Sequence, residues 1–382
     1  MAMGKAVFQI ASMIKAGPLT TVSLTKPQQW LRSATPACSR RWFALDSRGK
    51  SDSDSKSKDE VVQWRTARLE TRSVVRVHGK DASAFLQGLI TNDIHLLDAS
   101  ADGGPRSIYS LMLNLQGRVM FDLFIYTDAS RREEGGFLVD CDALLEEKLV
   151  KHLKAFKLRK DVSVESASAV GVRINFPEKA VGSVMAGKSL EEKISSHQSS
   201  EGLSDHLKIP DPRLPLLGYR SLFGLKESAE AGNSPVVDET AYRRFRYRVG
   251  VPEGSLELPP GECFPLESNA DYLAGVHFHK GCYLGQELTA RTHHTGVVRK
   301  RLMPVAIEGL TVGQTIPRDA VVAVRGGTKP VGKLRAHVGP DGLALLRIEE
   351  ALAAADNLVV SHEGKNLTVR TKRPEWWPDA VA

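Results

Sequence analysis

Two apolar runs, Ile108 to Leu115 and Val119 to Tyr126, stand on either side of Gln116-Gly117. A connection this short joins antiparallel strands and cannot carry a parallel crossover. The neighbouring segments agree. Arg72 to Val77 and Phe137 to Cys141 read as strands, and Asp81 to Leu89 reads as a short helix with Asp81 as its N-cap. Leu145, Leu149, Leu153 and Phe156 recur at helical spacing, and Val162 to Val164 is strand-like again. This order is α+β and lacks the alternation of a doubly wound parallel sheet. Further on, Asp238 can cap a helix that runs to Val249 and stops at Gly250 and Pro252. It carries Arg243, Arg244, Arg246 and Arg248 on several faces, so a solvated helix and an anion contact are both open readings. From Arg301 short Val/Ala/Leu runs broken by glycine suggest a separate small β domain. Its Trp376-Trp377 pair reads as a packing plug.

The charge is unevenly placed. The 382-residue chain carries a net +7, but residues 1–45 hold Lys5, Lys15, Lys26, Arg32, Arg40 and Arg41 and no acidic residue. The rest therefore carries 7 − 6 = +1, too little for a nucleic-acid footprint. The same stretch is rich in Ser, Thr and Ala. It places Val7, Ile10, Ala11 and Ile14 on one helical face, the pattern of an organelle transit peptide. Arg41-Trp42-Phe43-Ala44 resembles a matrix-processing site, which points to the mitochondrial matrix, with plastid as the alternative. Residues 1–43 are therefore expected to be the transit peptide and 44–60, which include the apolar-free Ser51 to Glu60, a disordered linker. Folding should begin near Val61, with one region over 61–300, as a single body or as two interleaved subdomains, and a second over 301–382. No uncharged apolar run approaches the roughly 20 residues of a membrane span.

Cys38, Cys141, Cys263 and Cys282 are far apart and form no C-x-x-C pair, which excludes a secreted disulfide framework or a structural zinc module. Cys141 and Cys263 lie in apolar or Pro-flanked settings that suggest packing. Cys282 is different. In His277-Phe278-His279-Lys280-Gly281-Cys282-Tyr283-Leu284-Gly285-Gln286-Glu287 the thiol sits between glycines and beside an ammonium, with Arg291 beyond. Glycine flanks favour an exposed thiol on a turn before a helix. Lys280 and the histidines would favour the thiolate that attacks electrophiles or binds soft metals. Glu287 and Arg291 form an i,i+4 pair if Gly285 opens that helix. Three other readings stay open: a small buried hydrophobe, a zinc site with His277, His279 and His293 or His294, and a papain-like nucleophile.

These residues carry a resemblance. Lys280-Gly281-Cys282-Tyr283-x-Gly285-Gln286-Glu287 followed by Arg291 resembles the signature of the YgfZ-type, folate-binding iron–sulfur cluster assembly factors, relatives of the glycine-cleavage T-protein. Phe85-Leu86-Gln87-Gly88 with Thr91-Asn92-Asp93, Gly117-Arg118 with Asp122, Asp211-Pro212-Arg213 with Gly218, and Gly342 to Arg347 follow in the order of that family. With its leader, the chain is similar to a mitochondrial member.

The resemblance implies a T-protein-like folate-binding fold closed by a C-terminal β-barrel. It implies an accessory role in 4Fe–4S cluster maturation, with A-type carrier proteins and client 4Fe–4S enzymes as partners. Cys282 would be the cluster or partner thiol, holding a shared iron–sulfur cluster. Tetrahydrofolate would be contacted by Asp122, Arg118, Arg246 and Glu287, with Arg246 at a basic mouth. The T-protein carries Gly-Gly-x-x-Asp-Asp where this chain offers Gly117-Arg118-Val119-Met120-Phe121-Asp122, so Phe121 replaces the first carboxylate. After Gly218 the sequence runs Tyr219-Arg220-Ser221 instead of a Gly-Glu-x-Gly-x-Glu segment. Aminomethyl transfer needs a positioned acid. A non-catalytic assembly factor is therefore expected ahead of the alternative, a folate-dependent one-carbon transferase.

Overall fold

The computed structural model describes residues 63–102, 106–178, 209–225, 234–310, 313–327 and 329–378. The expected leader and linker lie outside them.

The first strands are β1 (Trp64–Arg68) and β2 (Arg72–His78), followed by helix α1 (Ala82–Gln87). Asp81 stands at the N-cap of α1 but its side chain makes no cap bond. Its Oδ2 accepts from Asp161 N at 2.8 Å instead, pinning the helix start to the loop before β6 (Ser163–Ser166). The hairpin forms as β3 (Ser107–Leu113) and β4 (Val119–Thr127), paired antiparallel. With β5 (Phe137–Asp142), these strands complete a five-stranded sheet in the order β3-β4-β5-β2-β6.

Both faces of this sheet are covered. Phe121, Leu123 and Ile125 of β4 face a core with α1 and helix α2 (Glu146–Phe156), while Phe124 and Tyr126 face a second core. Strand alternation therefore sends neighbouring residues to opposite sides. It separates Phe121, which lies near His152 of α2 (5.6 Å between rings), from Asp122, which joins the second core.

A four-stranded antiparallel sheet, β1-β7-β9-β8, closes that second core. It uses β7 (Val170–Pro177), β8 (Ile209–Pro210) and β9 (Tyr219–Gly224). Helix α3 (Glu239–Val249) packs into the same core through Tyr242 and Phe245. Asp238 accepts from Thr240 N, and Gly250 ends the helix in the left-handed conformation, as their positions predict.

After helix α4 (Gln286–Thr295) the chain enters a closed six-stranded barrel in the order β10-β13-β12-β11-β14-β15. Its strands are β10 (Lys300–Ile307), β11 (Val321–Val324), β12 (Pro330–Val338), β13 (Asp341–Arg347), β14 (Leu358–His362) and β15 (Lys365–Thr371). A short helix, α5 (Ile348–Ala353), follows β13. Trp377 is buried in the barrel core, and Trp376 donates from Nε1 to Val249 O at 2.8 Å. The pair packs, as the sequence suggests. Among the described residues no helix is long and apolar enough to cross a membrane.

Candidate functional site

Cys282 is exposed in an extended loop just before α4, while Cys141 and Cys263 are buried. Burial pushes the Cys141 thiol far up and that of Cys263 up to about 11, so both remain thiols at neutral pH. Position, not residue type, distinguishes the cysteines.

The loop is held by backbone packing as much as by side chains. Gly285 caps α4 with φ +77°, and a Cβ there would lie 2.2 Å from Asn114 O. Gly117, the hairpin turn residue, has φ +74°, and its own Cβ would meet Gly285 O at 3.1 Å. The two glycines let the β3–β4 turn lie directly against the start of α4. Gln286 Oε1 accepts from Tyr283 N at 3.2 Å, and Tyr283 itself is buried. Phe278 stacks on His293 of α4 with centroids 3.5 Å apart and planes within 8°. This tacks the loop to the far end of the helix.

Lys280 does not serve as the thiol's ammonium partner. Its Nζ donates to Gln87 O, Ile90 O and Asn92 O at 2.8, 2.7 and 2.7 Å. An ammonium has three donors, so none is left for the sulfur. Burial lowers the Lys280 ammonium to about 8, with Asp93 acting against it. The zinc reading fails on geometry: among the described residues no three His, Cys, Asp or Glu side chains are placed to hold a metal ion. Glu287 and Arg291 do share a helix face, 3.8 Å apart, but both are well exposed.

The residues expected to contact folate fall in different places. Asp122 is buried, its Oδ2 taking Arg72 Nη1 at 3.0 Å and Gly254 N at 3.1 Å. Arg246 is also buried rather than at a mouth. It donates to Glu257 Oε2 at 2.8 Å and Val251 O at 2.9 Å. Arg118 lies over the Phe264 ring at 4.4 Å and donates to Glu262 O. The Glu287 side chain is 90% exposed. Asp122 and Arg246 are thus committed to partners in the interior, Arg118 is half-buried against Phe264 and Glu287 is exposed, so as placed the four do not form a folate site, and no chemistry is routed through one.

The interior also holds a buried charge cluster that the local sequence pattern does not reveal. Arg72 bridges Asp122 and Asp140, and Arg213 pairs with Asp211 and Glu253. Arg220 reaches Glu253 at 2.8 Å and stands 3.6 Å from Asp140. The guanidinium of Arg220 lies 3.6 Å over Phe124, with those of Arg213 and Arg72 at 4.7 and 5.3 Å from the same ring. Burial opposes the charge on Glu253, but Arg220, Arg213, Arg246 and Arg72 outweigh it and hold the carboxyl well below its usual range. The one available signal was weak. Arg72 and Asp140 sit within runs that read as strands, where a charge must be paired if buried.

A cavity of about 680 Å³ opens beside α4, walled by Phe264, Leu266, Leu288, Thr289, Val297 and Lys300, with Glu267 among its polar groups. Burial raises the Glu267 carboxyl, with Lys300, Arg118 and Arg335 opposing. None of Cys282, Asp122, Arg246 and Glu287 lines it.

Two antiparallel sheets followed by a closed barrel give the chain an aminomethyltransferase-like fold. The crystal structure of the glycine cleavage system aminomethyltransferase T from Bartonella henselae superposes with a TM-score of 0.60, covering 83% of this chain and 87% of that one at 14% identity. Residues 299–379 match the CAF17 C-terminal β-barrel domain. The sequence narrows the class. The chain is 38% identical over 357 residues to the mitochondrial iron–sulfur cluster assembly factor IBA57 of Mus musculus, spanning 92% of this chain and 94% of that protein. It is 39% identical to the Homo sapiens protein of the same name over 319 residues, 82% of this chain and 86% of the relative. The chain belongs to the IBA57 family of mitochondrial iron–sulfur cluster assembly factors.

Proposed function

We propose that this chain assists 4Fe–4S cluster maturation in the mitochondrial matrix together with A-type carrier proteins, and that Cys282 is the thiol it offers to the cluster or to the carrier. The observation that supports this reading is the exposure of Cys282 in a pinned loop while the other described cysteines are buried. One thiolate supplies one of the four ligands that a 4Fe–4S cluster takes from protein. The remaining ligands would come from the partner, so the cluster is shared cargo and not a resident cofactor. Client 4Fe–4S enzymes would receive it downstream.

The transferase reading finds less support. A carboxyl that manages protons at a folate nitrogen must be free to face it. Asp122 has its Oδ2 engaged by Arg72 and Gly254, and Phe121 faces the opposite side of the sheet.

Cys282→Ser should fold like the parent, because one exposed atom changes. It should fail to support cluster maturation, because a hydroxyl is a poor ligand for iron in a sulfur cluster. Mixing the chain with a cluster-loaded A-type carrier and reading visible absorption and iron content should show a shared cluster that the serine variant lacks. Full activity of Cys282→Ser would sink the proposal.

A further inference from the structure

The segments 87–92 and 274–284 lie far apart in sequence and meet along a row of hydrogen bonds. Asn92 Nδ2 donates to Ala274 O at 2.8 Å, and Thr91 Oγ1 donates to Gly275 O at 2.6 Å. His277 N donates to Thr91 O and Leu284 N to Gly88 O, both at 3.0 Å. These bonds fix the two ends of the Cys282 loop. Between them it is Lys280 that ties the middle of the loop to this platform, through the three carbonyls of Gln87, Ile90 and Asn92.

The platform itself is firm. Asn92 Nδ2 also donates to Tyr109 O at 2.7 Å, and Leu111 N donates to Thr91 Oγ1 at 2.9 Å, so the segment is bound to strand β3. Thr91 and Asn92 are buried. Phe85 to Gly88 with Thr91 to Asp93, and Lys280 to Glu287, are separate motifs in the sequence. In the fold they are one unit.

We propose that Lys280 is the positioning residue of Cys282: its ammonium clamps the middle of the loop to the 87–92 platform, so that the thiol two residues on is presented to a partner in one place. This rests on Cys282 being the working thiol. The residue type follows from the acceptors. Three carbonyl oxygens converge within 2.8 Å of one nitrogen, which suits a tetrahedral ammonium and not a planar guanidinium whose donors diverge. A methionine of similar length would leave those acceptors without a donor. A ligand held in place before its partner arrives loses less freedom on binding, which is what a transient cluster handover requires.

The test uses the full chain with Lys280→Met and Lys280→Arg beside Cys282→Ser. Hydrogen exchange at the His277 and Leu284 amides should accelerate about tenfold or more in Lys280→Met, as for a locally opened segment, and by less in Lys280→Arg. The melting temperature of a variant that loses the clamp alone should stay near that of the parent. Formation of the shared cluster with an A-type carrier should fall in the same order, Lys over Arg over Met, although Cys282 is still present. A folded Lys280→Met with parental exchange at both amides overturns the clamp. If Lys280→Met does not fold, parental exchange in Lys280→Arg overturns it equally. A freed loop with undiminished cluster formation overturns the positioning role. Full activity of Cys282→Ser would instead sink the thiol reading while leaving the exchange result standing, so the two failures are distinguishable.

Discussion

A single hydrogen at position 285 holds open the junction between the β3–β4 turn and the Cys282 loop. Gly285→Ala would place a methyl 2.2 Å from Asn114 O and near the Leu113 side chain, at φ +77°. The backbone atom cannot step aside without moving the turn, so strain and clash act together. We predict a loss of stability of about 1–3 kcal/mol, read by denaturant titration, with faster exchange at Leu284. Gly281→Ala is the control. A Cβ there meets nothing within 4 Å, so that variant should melt with the parent. Equal behaviour of the two would show that the loop tolerates a shifted turn. The sequence placed both glycines beside the thiol, but only packing distinguishes the one that needs to be glycine.

At the scale of elements, α3 is a helix whose arginines face different ways. Arg244 reaches Asp341 of β13 at 2.9 Å, whereas Arg246 turns inward to Glu257. Glu257 also accepts from Tyr247 Oη at 2.7 Å and from Glu253 N at 2.6 Å, so this carboxylate organises the chain just beyond the helix. Removing one partner of a buried pair leaves the other charge uncompensated. Arg246→Leu should therefore cost about 3–5 kcal/mol. A double change, Arg246→Leu with Glu257→Leu, should recover part of that loss, as a double-mutant cycle would read. An Arg246→Leu chain as stable as the parent would show that the buried pair adds no net stability. Asp238 and Gly250 marked the ends of this helix in the sequence. Which arginine turns inward depends on Glu257, eleven residues on.

Among the described residues, the sheets and the barrel are joined through α3. Tyr242 and Phe245 pack on Phe176 of β7, at 5.3 Å between ring centroids in each case. Tyr247 meets Ala336 and Leu343 of the barrel. Beyond the helix, Arg301 of β10 pairs with Asp271 at 2.8 Å and lies 3.9 Å over the Tyr272 ring. With cores shared this way, the barrel should not melt by itself. Trp377→Ala removes a large buried side chain and should cost about 3–5 kcal/mol. Calorimetry should show one cooperative transition moved down in temperature. A separate early transition, with the remainder unshifted, would show that the barrel is an independent unit.

The elements that pattern alone determines are those whose cause is local. The hairpin at Gln116-Gly117, the helix between Asp238 and Gly250 and the helix opened by Gly285 follow from turn chemistry and periodicity within a few residues. The pairing of β1 with β7 was not readable, because its partners stand more than a hundred residues apart and neither strand carries a turn signal toward the other. The same division holds at the site. An exposed thiol on a glycine-flanked turn before a helix could be foreseen from residues 277–291. The fates of Asp122, Arg246 and Lys280 could not, since a charge is defined by what neutralises it. Asp122 is met by Arg72 from fifty residues before it, and Lys280 by carbonyls nearly two hundred residues away. Local sequence sets where the chain can turn and which side chains are available; burial and partnership, which decide whether a charge is a tool or a strut, arise only when distant segments close around it.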